Sequence, residues 1–589
     1  MANYIFIKTR QPTEQSKIID KLEQVCCLLE PTIIKNKSQN TATIWPEDAN
    51  GFYAIQNSEG IAGPKDNALV IGWIDQTDNK VKSYSSNADG SYAVITNKND
   101  EVSFFCDQFG SRTLWYYYDE NILIVSTSQR AIVALKSTFK LNQVAIAWYL
   151  SSGCQGPFIS WDQEVIQALP NLEYKLDVGN WSFDSIQKRG MSLPCSGSTK
   201  LSEYLKIYEK QVTKSLKQIV NEYANDQVLL PLSGGLDSRL LLALSKKAGL
   251  TDKMTLANWG VDTLANVFDD KKAANQIASS YGKNLLDKYL PVNIDGYDKF
   301  FEHFAEASEG RIDHFNAFTD SFYMWGDFFK RGYRIIVRGD IPYTEGLDIN
   351  PAQARMHQGL QLLADYINIK DFIGMEEYIQ LQNNSKIKIE CLDGESLVRW
   401  RDRLYVSYRV PMIISAFSQQ ISGFVENRAP MFNWSLYELY MGLPDKEKGN
   451  KRHIQKLWKK YDRSGVSFKA VGSLNSMNSY FDSICGHEYL LHKLLEVKKT
   501  GYFHPDLIDS VQHVLSKRSI NDESKSTIVL VRQTVKRILS DYLPALPKAY
   551  LKSKSSQKLS ATTLAYRIVM IDKIISMYES DARYIEVSK

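Results

Sequence analysis

Short apolar runs alternate with polar turns through the first 180 residues. Tyr4–Ile7, Ala68–Ile74, Ser91–Thr96, Val102–Cys106, Thr113–Tyr118 and Ile122–Ser126 are rich in β-branched and aromatic residues, with Asn, Asp and Gly between them. This spacing predicts short strands in layered sheets. Residues 181–200, WSFDSIQKRGMSLPCSGSTK, are rich in Ser, Gly and Pro and read as a linker. The period then changes. Leu205, Tyr208, Val212, Leu216 and Val220 share one face of a helix predicted over 201–223.

From 227 to 340 strand-like and helix-like segments alternate. Predicted strands are Val228–Leu232, Met254–Asn258, Leu286–Val292 and Arg334–Val337. Predicted helices are Arg239–Ala248, Asp269–Tyr281, Tyr297–Ala305 and Phe315–Lys330. This order predicts a parallel, doubly wound sheet, with a ligand at the carboxyl ends of its strands. Residues 340–420 read as mostly helical, as does the tail from 475, for example Tyr489–Val497 and Ser526–Leu539. Lys548–Lys558 is basic and reads as a lid-like segment.

One turn changes the picture. Val228–Leu232 runs into Ser233-Gly234-Gly235-Leu236-Asp237-Ser238, and an apolar helical pattern follows. A strand, a glycine-rich turn and a helix make an anion cradle. Backbone N–H groups can approach a phosphate there, and the helix N-terminus adds partial positive charge. Ser233 and Ser238 offer hydroxyls, and Asp237 is placed to hold Mg2+ on the phosphates. No Gly-Lys-Ser/Thr follows, so this is not a Walker loop, and Gly-x-Gly-x-x-Gly is absent.

Composition narrows the class. The 589 residues are 44% hydrophobic and 23% charged, with a net charge of +4, so no nucleic-acid partner is expected. No apolar run reaches membrane-spanning length. MANYIFIKTR lacks a signal-peptide pattern. The seven cysteines form no CxxC pair. A cytoplasmic protein is expected, with no membrane partner.

The turn matches the SGG[LIV]DS signature of PP-loop ATP pyrophosphatases, and further blocks point the same way. Asp89-Gly90-Ser91-Tyr92-Ala93, then Asp107, Phe109, Gly110, Leu114, Tyr116 and Ala131, resemble the glutaminase-type domain of asparagine synthetases. Glu426, Arg428, Pro430, Asn433, Leu436, Leu443 and Pro444 resemble a later block of the same family. The resemblance implies an α+β, Ntn-type αββα domain over 1–190. An α/β doubly wound PP-loop synthetase domain with a helical C-terminal part would follow over 200–589.

By that resemblance Leu232 packs on adenine, and Ala257 and Asn258 cradle it. Arg338 and Gly339 meet phosphate, and Asp340 takes a proton from an attacking amine. Lys451 is the catalytic lysine, with Lys448 and Arg452 as competitors. Asp237 and Glu345 are the metal carboxylates. Glu426 and Arg428 read as a structural ion pair, and His314 as a helix-start residue. Tyr343 stands where the family has an aspartate.

Departures from the family refine the function. A family glutaminase uses a cysteine in the second position, and here Ala2 stands instead. Ile71 replaces an oxyanion-donating Asn, and Cys26 and Cys27 are internal. The resemblance therefore implies an AMP-forming amide ligase that uses ATP and Mg2+ without glutamine. Its logic is close to β-lactam synthetases and lasso peptide macrolactam cyclases. The implied partner is a small-molecule or peptide substrate carrying carboxylate and amine, and a further biosynthetic enzyme is a second candidate partner. Two alternatives stand beside it: amidation of a small-molecule or sugar carboxylate with free ammonia or an amine, and a non-catalytic scaffold that keeps the fold.

Overall fold

The structure, a computed structural model, describes residues 3–587 apart from 31–42, 57–67, 76–87, 99, 188–193, 224–226, 262–269, 291–295, 344–349, 386, 463, 466–480, 482 and 520–556. Ala2, Glu345, Ser526–Leu539 and most of Lys548–Lys558 lie outside the described residues. The chain is mixed α/β, with antiparallel sheets first and a parallel sheet with helices later.

The N-terminal strands are β1 (Asn3–Thr9), β2 (Thr43–Pro46), β3 (Gly51–Gln56), β4 (Ala68–Ile74), β5 (Gly90–Lys98), β6 (Glu101–Cys106), β7 (Trp115–Tyr118), β8 (Ile122–Ser126), β9 (Ile166–Gln167), β10 (Leu172–Asp177) and β11 (Ser182–Gln187). They form two sheets, ordered β2-β3-β1-β8-β7-β9 and β11-β10-β6-β5-β4. The two-residue period of β1 explains the layering. Tyr4 and Phe6 join Leu69, Ile71, Ile95 and Phe104 of the other sheet in one core. Ile5 and Ile7 join Leu22, Val25 and Ile132 in another. Those last three belong to helices Gln15–Leu28 and Gln129–Lys136.

Strand β11 corrects the expected linker. Its burial pattern is almost wholly exposed, so it carries no apolar alternation to read. It is held by pairing with β10 and by Phe183, which stacks on Phe104 and Tyr118.

The later strands are β12 (Val228–Pro231), β13 (Thr255–Val261), β14 (Leu285–Leu290), β15 (Ile335–Val337) and β16 (Glu426–Arg428). All pairings are parallel, in the order β14-β13-β12-β15-β16. The chain builds outward from β12 to β14, then returns to add β15 on the other side. The crevice between the ends of β12 and β15 is therefore the topological switch point. Val228, Leu229 and Leu230 are fully buried, as a central parallel strand requires. The next helix, Leu236–Lys247, starts three residues earlier than its apolar spacing suggests. Asp237 thereby lies in its first turn, where a carboxylate is favoured.

The two halves are tied together. Phe109 inserts among Phe432, Trp434 and Tyr437, at centroid distances of 4.5, 5.0 and 5.8 Å. Arg112 donates to Glu426 at 2.6 Å and to the Asn427 carbonyl at 2.7 Å. Buried Arg311 donates to Thr113, Ser415 and the Pro411 carbonyl. Pro411 lies inside a ten-residue π-helical segment, Tyr405–Ile414. The long helix Ala561–Val587 packs back on Gln129–Lys136, and one apolar cluster runs from Ile5 to Ile585.

Arg130 Nε and Nη2 grip Asp581 at 2.7 and 2.9 Å, with both side chains buried. Asp581→Asn leaves a buried cation without its anion. It is expected to lower stability by about 3–5 kcal/mol, and Arg130→Met with Asp581→Leu should regain most of that. Urea unfolding of the full chain measures both. A loss below about 1 kcal/mol for the single variant would mean that helix docking does not rest on this pair.

Candidate functional site

The ends of β12, β13 and β15 enclose a cavity of about 340 Å3. Pro231, Leu232, Ser233, Asp237, Ser238, Ala257, Asn258, Trp259, Arg338, Gly339 and Asp340 line it. Its volume is in the range of small-ligand sites. Segments near residues 235, 258 and 339 thus meet because three parallel strands end side by side.

The loop has a defined shape. Gly235 is extended and caps the helix without a side-chain bond. The first-turn N–H groups of a helix point out of its N-terminus, toward where an anionic ligand binds. Ser233 N–H donates to Ser238 Oγ at 3.1 Å, Gly235 N–H donates to Ser233 Oγ at 3.1 Å, and the two hydroxyls lie 3.0 Å apart. Both serines therefore brace the loop as well as lining the cavity. A Cβ on Gly339 would stand 2.8 Å from Asp237 Cβ and 3.3 Å from the Ser238 nitrogen. Only glycine lets the β15 loop approach the helix N-terminus this closely.

On the opposite wall, Asn258 Nδ2 donates to the Leu232 carbonyl at 2.6 Å, and Leu232 N–H donates to the Ala257 carbonyl at 2.8 Å. Trp259 stands edge-on to Trp325, with centroids 5.2 Å apart. Arg338 pairs with Asp340 at 3.3 Å, and both side chains are partly exposed. Such a pair is weak, about 0–1 kcal/mol, and is readily redirected to a ligand.

The three competing cations now separate. Lys451 Nζ contacts Asp237 Oδ2. Lys448 is buried, donating to the Met441 carbonyl at 3.2 Å, and burial lowers its pKa. Arg452 donates to the Lys446 carbonyl. Lys451 alone of these three contacts a cavity-lining carboxylate. It begins helix Arg452–Tyr461 with a left-handed φ of 52°, an unusual geometry for lysine that surrounding packing must hold. Arg239 supplies part of that packing. It reaches Asp462 at 3.0 Å and lies 4.2 Å over the Trp458 ring, joining the lysine's helix to that of Asp237.

One reading is corrected. Glu426 and Arg428 do not pair with each other. Glu426 takes Arg112, and Arg428 takes Glu222. Tyr343, which stands where the family has an aspartate, is buried, stacks on Tyr440 at 4.0 Å and contacts His453 Nε2 through its hydroxyl. His453 sits among Tyr204, Tyr208, Tyr343 and Tyr440, two residues from Lys451. His314 caps helix Phe315–Lys330 beside Phe417 and lines no part of this cavity.

In the N-terminal half, Ile71 and Tyr4 line a separate cavity of about 30 Å3 with Arg112, Thr113 and Glu426. That is room for roughly one or two water molecules, not for an amino acid. Burial raises the Cys26 thiol to about 12, which removes it as a nucleophile at neutral pH. Sequence reading missed Pro231 and Trp259 as lining residues. Trp259 directly follows Ala257-Asn258, and that adjacency was the available signal.

The lining residues have chemistry that would suit a magnesium nucleotide. The first turn of the helix and a cradle that a Cβ on Gly339 would fill would suit phosphate, and the Asp237 carboxylate its metal. Among the described residues no group of three or more His, Cys, Asp or Glu could hold a metal by itself. A metal here would depend on phosphate oxygens. Among them, too, no helix is long and apolar enough to cross a membrane. Compared with protein-family models and with curated protein sequences, the chain has no match.

Burial, and then the Lys451 charge, push the His453 pKa down to about 3. The unfolded chain protonates this histidine near 6.5 and the folded chain does not. Stability from this group is therefore complete above about pH 6.5 and falls as pH drops toward 3. The expected loss between pH 7 and pH 5 is about 2 kcal/mol. His453→Gln should lack this component, so its deficit against the parent should shrink at pH 5. Urea midpoints at both pH values measure it, and a deficit independent of pH would refute it.

Proposed function

We propose that this chain is an AMP-forming, ATP-dependent amide ligase of the asparagine synthetase-like type, with a PP-loop synthetase half and an Ntn-type half that does not hydrolyse glutamine. The observation that carries the reading is the convergence of Ser233, Asp237, Ser238, Ala257, Asn258, Arg338, Gly339 and Asp340 on one cavity, with Lys451 on Asp237.

In this reading the loop N–H groups and Arg338 bind the phosphates. Leu232, Ala257, Asn258 and Trp259 form the nucleobase wall. Asp237 would hold Mg2+, which supplies charge neutralisation on the phosphates when bound. A substrate carboxylate oxygen bonds to the α-phosphorus as the bond to pyrophosphate breaks. The acyl-adenylate carbon then bonds to the amine nitrogen as AMP leaves, and Asp340 takes the amine proton. The Lys451 ammonium stabilises charge at the α-phosphate and at the tetrahedral intermediate.

The amine belongs to the substrate. Ile71 and the water-sized cavity at Tyr4 speak against ammonia from glutamine in this chain. An amine and carboxylate on one molecule would gain from effective concentration. That favours lactam or macrolactam formation in natural-product biosynthesis.

Pyrophosphate and AMP release, measured over a panel of carboxylate and amine substrates, is expected to be independent of glutamine. Lys451→Ala should lower the rate by about 10²–10³-fold, and Asp340→Asn should lower the amide-forming step by about 10²–10⁴-fold. Glutamine-dependent glutamate formation, or ADP as product, would overturn the reading. Failure to bind Mg2+–ATP would favour the non-catalytic scaffold.

A further inference from the structure

The contact between Lys451 and Asp237 joins residues 214 positions apart, and both side chains are largely buried. In the reading above, these two groups serve different parts of one ligand. Asp237 serves the metal, and Lys451 serves the phosphates. Here the ammonium instead lies on the carboxylate.

We propose that Lys451 is the resting counter-ion of Asp237 and bars a free divalent cation, so that the loop accepts the metal only as a metal–polyphosphate complex. The inference rests on the nucleotide reading of this cavity and adds the form in which the ligand must arrive.

Three observations support it. The ammonium takes an Asp237 oxygen that a metal would use, and a dication there would be repelled by the adjacent fixed charge. The remaining donors are few. The loop serines are braced against each other and the loop backbone, and Asp340, weakly paired with Arg338, adds one carboxylate at most. Mg2+ binds weakly through one or two carboxylates unless substrate phosphates complete its shell. Finally, the lysine is held in place. Its helix is strapped to that of Asp237 through Arg239, Asp462 and Trp458, and through Lys247, Glu209 and Tyr461.

A polyphosphate resolves the competition because its own anionic oxygens give the ammonium a new partner. Lys451 Nζ shifts from carboxylate to phosphate, and Asp237 is released to the metal that the phosphates carry. The left-handed Lys451 ends a short turn, Gly449–Lys451, just before its helix. Its side chain can make this exchange while the strapped helix stays in place.

Mn2+ serves as the probe, with binding to the full chain followed by electron paramagnetic resonance and calorimetry. The parent is expected to bind Mn2+ poorly alone and at least about tenfold more tightly with pyrophosphate or ATP present. Lys451→Asn removes the charge while tolerating a left-handed backbone. It should bind Mn2+ alone about tenfold more tightly than the parent, and adding Asp237→Asn should abolish that gain. Lys451→Arg keeps the charge and should behave as the parent. Equal Mn2+ affinity in parent and Lys451→Asn would overturn the gate, as would parent binding of Mn2+ alone that Asp237→Asn removes. The parent arms keep the test decisive if a lysine variant misfolds. If no protein binds Mn2+ even with ATP or pyrophosphate, the nucleotide reading itself has failed.

Discussion

Strand β12 is buried between β13 and β15, and the site depends on that position. A parallel strand covered on both sides must be apolar along its length, as Val228–Leu230 are. The chain grows to one side of it and then returns to the other. Crossover segments therefore leave in opposite directions at its carboxyl end, and a crevice opens there. The Ser233–Ser238 turn emerges into that crevice. The ends of β13 and β15 bring Asn258 and Gly339 to it without any further device.

The antiparallel half supports the other flank of the same sheet. Glu426 on edge strand β16 receives Arg112, and Phe109 fills an aromatic pocket just beyond that strand. Asp107 accepts the N–H groups of Tyr92, Phe109 and Ser111 and the Ser111 hydroxyl. It thereby shapes the turn that delivers Phe109 and Gly110. Gly110 has φ 62°, and a Cβ there would press on Pro170 and Pro411 at 2.7 and 3.1 Å. The Asp-x-Phe-Gly run thus has a clear structural task at the contact between the halves.

A second constraint lies behind Lys451. Four tyrosines enclose His453 and keep it neutral at physiological pH. A charged imidazole there would put a second buried cation near the lysine. Tyr343 carries this cage back to the loop after β15, so the lysine's helix and that loop share one packing unit.

Much of this was legible in the residues themselves. The turn at 233–238, the alternation of strands and helices to Val337 and the apolar face of the 201–221 helix are local properties. Backbone preference and periodicity express them within a few residues. Strand β11 was not legible, because an exposed edge strand carries no apolar alternation. The choice among Lys448, Lys451 and Arg452 was not legible either. It rests on which ammonium the stacked helices carry to Asp237, 214 residues away. The partners of Glu426 and Arg428, and the turning inward of Tyr343, follow the same rule. Local geometry is encoded where it occurs, whereas the pairing of distant charges and rings exists only once the layers have packed.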